Sequence, residues 1–395
     1  MECVYNDETL CYGCSACANA CPRGAITMRE DAKGFLYPLI NQSLCVDCGK
    51  CQAVCQHGIA FANPEPTAIH ALQHQDSNVV KESSSGGAFT LISDLVLEKG
   101  GIVFGCVIDE DFNVIHTRAE TKEQRDCMRG SKYVQSDLRD VFSEIKACLE
   151  SRSVLFVGTP CQVQGLYAYL GAKPENLLTV DFLCHGTPSA KLVKDHVAFL
   201  EKKYNKKAVF YKFRDKKYGW RHVETIFFEG NKKSNYDTFR LKHLFATNVA
   251  LRPACYHCPY TSTTRVADIT IGDFWGAEQK IGRYENKGIS LAMLNSERGK
   301  NFFAEVAPCH CLADVTLLDV MQRALQRPAQ KPKNSDKFWE LYGREGYERV
   351  TEVFSDSRRK HYFRFAFVSL TVHLGLDKTI TRIKAKIRGR KKSNG

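Results

Sequence analysis

Cys11-Tyr12-Gly13-Cys14-Ser15-Ala16-Cys17-Ala18-Asn19-Ala20-Cys21-Pro22 is followed 34 residues later by Cys45-Val46-Asp47-Cys48-Gly49-Lys50-Cys51-Gln52-Ala53-Val54-Cys55-Gln56. Both stretches read C-x2-C-x2-C-x3-C, so the segment is an internal duplication. Three thiolates at two-residue separations can wrap one face of an iron–sulfur cube, and the fourth, three residues on, serves the other cube. This spacing predicts one 4Fe–4S cluster on Cys11, Cys14, Cys17 and Cys55. A second falls to Cys45, Cys48, Cys51 and Cys21. A disulfide framework needs an oxidising compartment that nothing else in the sequence suggests. Structural zinc uses ligand pairs separated by longer loops.

The duplicated segment resembles the bacterial two-cluster ferredoxin. It departs from that pattern at Gln56, where the second motif usually has proline, a residue that shapes the turn but binds no iron. Ala25 to Met28 and Phe35 to Pro38, joined through Asp31-Ala32-Lys33-Gly34, predict a small hairpin between the motifs. Asn63-Pro64-Glu65-Pro66 reads as a linker closing a domain over residues 1–63.

The 395 residues include 18 Cys, with 44% hydrophobic and 25% charged content, which excludes a disordered or collagen-like chain. Of the net charge of +12, +11 lies in residues 357–395, so the body is nearly neutral. A body built to hold nucleic acid is excluded on that ground. The start has neither a basic nor an apolar leader region, and the uncharged run from Ser153 to Ala172 is broken by Gly158, Pro160 and Gly165. A cytoplasmic protein is expected.

Residues 67–350 alternate strand-like and helix-like segments. Expected strands are Gly101 to Ile108, Val154 to Val157, Leu177 to Leu183, Ile269 to Ile271 and Ile289 to Leu294, with a hairpin beginning at Arg221 to Phe228. Expected helices are Gly87 to Glu98, Asp137 to Leu149, Cys161 to Leu170, Ala190 to Tyr204 and Glu297 to Val306. The fold class is α/β or α+β, a larger mixed-sheet domain with flanking helices behind a ferredoxin-type domain. Cys161 and Cys184 each follow an apolar strand, and ligands in open α/β sheets gather at the carboxyl ends of strands. With Cys255-x2-Cys258 they make four ligands, enough for a third cluster, although buried inert thiols are the competing reading. Cys106, Cys127 and Cys148 read as buried small hydrophobes. Cys309-His310-Cys311 has ligand chemistry without a workable strand geometry and stays unassigned.

Ser83-Ser84-Ser85-Gly86-Gly87, Gly130-Ser131-Lys132-Tyr133, Gly158-Thr159-Pro160-Cys161-Gln162, Cys184-His185-Gly186, Phe213-Arg214-Asp215-Lys216 and Asp268 to Gly276 occur in this order. Together they resemble the coenzyme F420 hydrogenase/dehydrogenase beta-subunit family, fused here to a ferredoxin domain. The resemblance implies FAD, electron exchange with a deazaflavin coenzyme, and an additional cluster on Cys161, Cys184, Cys255 and Cys258. Serine hydroxyls and amides at the start of a helix suit a dinucleotide pyrophosphate, which singles out Ser84, Ser85, Gly86 and Gly87; a plain helix cap is the ordinary alternative. Lys132 offers positive charge to the flavin or stands as a solvated lysine. Asp273 can orient a ligand at a strand end, and Trp275 can stack on a ring or belong to the core. Arg214, Lys216, Lys217 and Arg221 either recognise an anionic substrate or face water.

The expected function is an iron–sulfur flavoprotein oxidoreductase moving electrons between ferredoxin-type clusters and a two-electron acceptor or donor. That partner is a deazaflavin or another anionic metabolite, with surface-polysaccharide biosynthesis as a setting suggested by bacterial relatives of the architecture. The alternative is an electron-transfer module without its own substrate, docked on a partner enzyme. A redox partner protein or ferredoxin-type donor is expected in either case, and no catalytic acid or base is assigned. The basic segment 351–395, apolar from Phe365 to Leu376 and then cationic with Ile380, Ile383 and Ile387 at helical spacing, predicts peripheral contact with the inner membrane face or a helix packed on the body.

Overall fold

The computed structural model describes residues 7–355 apart from 58, 60–61, 235–236, 284–285 and 307–309, together with 363, 367, 370, 371, 374, 376 and 379. Between the cysteine motifs, β1 (Ile26–Glu30) and β2 (Leu36–Ile40) form the expected hairpin, with Ile26 opposite Ile40. Its turn requires Gly34 at φ +82°, where a Cβ would also strike Lys191 and Ser189. The duplication is visible in the backbone. Gly13 and Ser15 take left-handed conformations, as do Asp47 and Gly49, 34 residues on, and each pair leads into a short helix, Ala16–Ala20 or Lys50–Ala53.

β3 (Ala68–Leu72), β4 (Ile102–Ile108), β5 (Val114–Ala119), β6 (Val154–Val157) and β7 (Leu177–Phe182) then enter one large sheet. β8 (Ala208–Lys212), β9 (Thr225–Phe228) and β10 (Lys233–Ser234) form a separate three-stranded sheet. β11 (Ile269–Asp273), β12 (Ser290–Leu294) and β13 (Cys311–Asp314) return to the large one, whose order is β13-β3-β12-β11-β7-β6-β4-β5. β4, β6, β7 and β11 are parallel, and antiparallel strands complete both sides. Central parallel strands are covered on both faces, which is why Val154 to Phe156 are apolar at successive positions and fully buried.

Helices Ala88–Glu98 and Glu297–Val306 cover one face over Val103, Leu155, Val180 and Leu294. Helices Val141–Cys148 and Pro160–Leu170 cover the other over Ile102, Phe104, Val154 and Phe156. Ala16 belongs to this second core, so the first cysteine motif docks on that face. The fold is therefore the expected mixed α/β class. The expected strands and helices form with ends shifted by up to four residues, and the Arg221 to Phe228 strand contracts to β9. β3, β5, β8 and β13 were not expected.

Because β6, β7 and β11 are parallel, their carboxyl ends share one rim. Cys161, Cys184 and Asp273 arrive there, and helix Ala88–Glu98 begins beside them, where Gly86 lies against Leu72 and Ser290. No helix among the described residues is long and apolar enough to cross a membrane. Most of the basic tail lies outside the described residues; Phe363, Phe367, Leu370 and Leu374 within it are exposed.

Candidate metal centres and redox site

The first motif curls around a cavity lined by Cys11, Cys14, Cys17 and Cys55, with Ala16, Met28 and Pro38 closing its apolar wall. Burial pushes the Cys14 thiol up to about 11, with Cys11 and Cys55 adding negative charge and the Ala16 amide pulling the other way. Burial likewise raises Cys17, with Cys14, Cys11 and Cys55 as its charged neighbours. Cys55 thus crosses from the second motif to join the first three. Reciprocally, Cys51 is raised by burial with Cys21 and Cys45 beside it, and the Ala25 amide donates to Cys21 Sγ at 3.2 Å. Cys48 is exposed.

Cys161, Cys184, Cys255 and Cys258 converge as well. Burial raises all four thiols, Cys184 and Cys258 to about 12, and each of the six pairs among them is an electrostatic contact. Thr159 Oγ1 is 3.1 Å from Cys161 Sγ, and the Thr187 amide donates to Cys255 Sγ at 3.5 Å. Helix Pro160–Leu170 fixes Cys161: Pro160 takes its first position, and Thr159 and Gln162 form a capping box. Sixteen described cysteines are free thiols. Sulfurs around one tetrahedral zinc would lie about 3.8 Å apart, given Zn–S bonds of about 2.3 Å. Among the described residues no three ligand atoms from these quartets come within 4.8 Å of one another. Their spacing is too wide for a single ion and suits a multi-atom cube. Thiols held high by burial ionise on binding metal, which supplies the missing positive charge.

The first quartet and the core quartet are neighbours. Gly165 lies one helical turn beyond Cys161, and a Cβ there would sit 2.8 Å from Cys14 Cβ and 2.9 Å from its Sγ. Tyr12 and Tyr260 meet edge to face at 5.7 Å between the two sets. Burial and surrounding thiols raise both phenols, with Cys161, Cys14 and Cys258 the sulfurs nearest in effect to Tyr260.

The residues expected at the flavin divide differently. Ser84 Oγ accepts from the Ser131 amide at 2.7 Å, Ser85 Oγ donates to the Ile289 carbonyl at 2.8 Å, and the Gly86 amide donates to Ser290 Oγ at 2.8 Å. Two groups read from the sequence as open to an anion are therefore engaged with β12 and the residue before it. Gly87, at φ +96°, starts the helix, whose first-turn amides lack intrahelical partners. Lys132 Nζ donates to the Met128 and Arg129 carbonyls, and burial lowers its pKa. Asp273 is held by Arg214 at 3.0 Å and Trp220 Nε1 at 2.9 Å.

Arg214 turns inward rather than to water. It is 5% exposed and bonds Tyr133, Asp273 and the Ser84 carbonyl, while its buried Nε has no partner. Lys216 also points in, to the Val80 and Ser85 carbonyls. Trp275 is exposed and stacks on Trp220 at 4.5 Å, with Arg214 over its ring.

Cys106 and Cys148 pack against hydrophobic cores, whereas Cys127 is exposed, because it caps the C-terminal end of the surface helix Lys122–Asp126. Cys309 lies outside the described residues. Cys311 instead meets His70, whose Nδ1 is 2.7 Å from Asp314 Oδ1 and 3.7 Å from Cys311 Sγ. A bulge between Cys311 and Ala313 brings both β13 residues to that side, a register the sequence does not announce.

Fold and thiol sets together define an electron-transfer protein of the iron–sulfur oxidoreductase type. Residues 10–59 match the 4Fe–4S dicluster domain, and residues 151–316 match the C terminus of the coenzyme F420 hydrogenase/dehydrogenase beta subunit. The chain thus joins a dicluster domain to a C-terminal domain of that beta-subunit family. It is 29% identical over 140 residues to the isethionate sulfite-lyase activating enzyme of Desulfovibrio desulfuricans, an alignment spanning 33% of this chain and 44% of that one. It therefore covers less than half the length of that relative. A solved chain from the F420-reducing [NiFe] hydrogenase complex of Methanosarcina barkeri is 19% identical, with 74% of this chain and 92% of that chain covered and a TM-score of 0.44.

Proposed function

We propose that the chain is a flavin-dependent iron–sulfur oxidoreductase that passes electrons between a partner protein and a two-electron substrate at the sheet rim. The observation that carries this reading is the contact of Cys14 with the helix that presents Cys161, which sets two thiol quartets side by side. Iron–sulfur cubes would supply single-electron carriage, and a flavin the coupling of one-electron to two-electron chemistry. The chain's own residues order the route: Cys21, Cys45, Cys48 and Cys51 outermost, Cys11, Cys14, Cys17 and Cys55 next, and Cys161, Cys184, Cys255 and Cys258 innermost. Exposed Leu44 and Val46 beside the outermost set offer apolar surface to a redox partner.

At the rim, Ser84, Ser85, Gly86 and Gly87 with Lys132 and Asp273 would hold FAD. Support for that comes from the helix start at Gly87, the exposed ring of Trp275 and the unpartnered Nε of Arg214. The same arginine suits an anionic substrate such as a deazaflavin or a sugar-linked metabolite of surface-polysaccharide synthesis. The division at residues 1–63, 67–350 and 351–395 and a cytoplasmic location belong to this proposal. So does contact of the tail with an anionic membrane surface, supported by exposed Phe363, Phe367, Leu370 and Leu374 at helical spacing.

An electron-transfer module without its own substrate is the second reading, favoured by the engagement of Ser85 and Gly86 within the chain. One anaerobic preparation separates the two. Iron, acid-labile sulfide and extractable flavin are measured together, and the proposal expects about twelve iron atoms with bound flavin. About twelve iron atoms without flavin would select the module, and about eight would remove the core cluster.

A further inference from the structure

The first motif ends Cys21-Pro22, whereas the second ends Cys55-Gln56. Gln56 is only 5% exposed and lines the cavity of Cys11, Cys14, Cys17 and Cys55. Its Oε1 accepts from the Tyr260 hydroxyl at 2.5 Å. With the oxygen held, the amide plane is fixed and the NH2 group is turned away from Tyr260. That Nε2 is buried, makes no well-formed hydrogen bond among the described residues, and neighbours the Cys14 thiol. Ser15 Oγ, on a residue 2% exposed and lining the same cavity, is likewise buried and unpartnered. Two donors without a hydrogen bond therefore share a cavity lined by four cysteine sulfurs, with Tyr12 and His57 its remaining polar side chains. Buried donors are rarely left unsatisfied, and the acceptors this cavity is built to contain are the sulfurs of a cluster.

We propose that Gln56, clamped by Tyr260, donates an N–H···S hydrogen bond to the cluster held by Cys11, Cys14, Cys17 and Cys55 and raises its reduction potential. This deepens the proposed function and rests on its cluster assignment. Reduction adds one electron, and hence one negative charge, to the cube. A donor aimed at its sulfurs stabilises that added charge, and the proton stays on the amide throughout. Proline could supply no such donor, so the departure from the first motif acquires a role. Tyr260 also stands beside Cys161 and Cys258 of the core quartet, so the residue that orients the donor lies between the two sets.

The test uses the full chain, reconstituted anaerobically, with iron and sulfide measured before any potential. Redox titration followed by electron paramagnetic resonance then resolves the individual clusters. Gln56→Pro and Gln56→Leu are expected to keep wild-type iron and to move one cluster signal to more negative potential. Tyr260→Phe is expected to move the same signal in the same direction by a smaller amount, because the amide is no longer oriented. The remaining signals should stay where they are. Full iron with unchanged potentials in both Gln56 variants would overturn the proposal, as would iron loss from both, which would make Gln56 a structural residue. Wild-type protein that binds no iron or sulfide would instead refute the cluster assignment beneath it.

Discussion

Cys161 has burial, position and neighbours that no other described thiol of the body combines. It starts a helix at the carboxyl end of β6, interacts electrostatically with the other three core thiols, and stands one turn from the glycine that admits Cys14. Cys161→Ser is therefore expected to lower iron from about twelve to about eight atoms per chain while the two N-terminal cluster signals persist. Iron analysis with electron paramagnetic resonance checks this, and an unchanged iron content would show that the four core thiols hold no cluster. The N-terminal ligands were legible in the sequence because cube geometry constrains residues only a few positions apart. The hydrogen-bond partners of Ser85 and Gly86 were not legible, because they are Ile289 and Ser290, 204 residues away.

The helix Pro160–Leu170 is the element that joins the two chemistries. Its capping box, first-turn proline and Gly171 at its C-terminal end are local signals, and the helix was readable from them. The meaning of Gly165 was not. In a helix interior, replacing glycine by alanine is ordinarily favourable by about 1 kcal/mol. Here the added carbon would lie below 3 Å from both Cys14 Cβ and Sγ. Gly165→Ala is expected to displace Cys14 and remove one cluster, about four iron atoms, while the core set stays loaded. Iron analysis together with circular dichroism reads this outcome; full iron in a folded Gly165→Ala chain would contradict the close approach. β13 shows the same limit at a sheet edge, where a bulge brings Cys311 to the side of His70 and Asp314.

Across the whole molecule, buried polar groups tie the cysteine segment to the body. Arg252, 1% exposed, donates to the Cys11 and Leu36 carbonyls and to Gln135 Oε1, and Asn19 bonds Arg139 and Ser143. A second buried group makes overall stability depend on pH. His196 has its Nδ1 2.7 Å from the Tyr347 hydroxyl and its Nε2 buried without a partner. Burial, reinforced by the Arg240 charge, lowers its pKa from 6.5 to about 3. The unfolded chain takes up a proton below pH 6.5 that the folded chain refuses, so stability falls as pH drops from 6.5 toward about 3. Between about pH 7 and 5.5 this group alone should remove about 1 kcal/mol. Urea unfolding at the two pH values checks it: His196→Phe, though less stable at pH 7, should lose about 1 kcal/mol less on acidification. Equal losses in the two proteins would place the titration elsewhere.

The sequence by itself determined the ligand chemistry, the duplication, the mixed α/β class and most of the helices and strands, because each depends on spacing and periodicity within a few turns of chain. Tertiary structure alone decided that Cys14 rests on Gly165, that Ser85 and Gly86 bond Ile289 and Ser290, and that Arg214 turns inward. The reason is physical. A hydrogen bond or a thiol contact is fixed by distance in space, and the sheet brings to one rim residues that the chain keeps about two hundred positions apart.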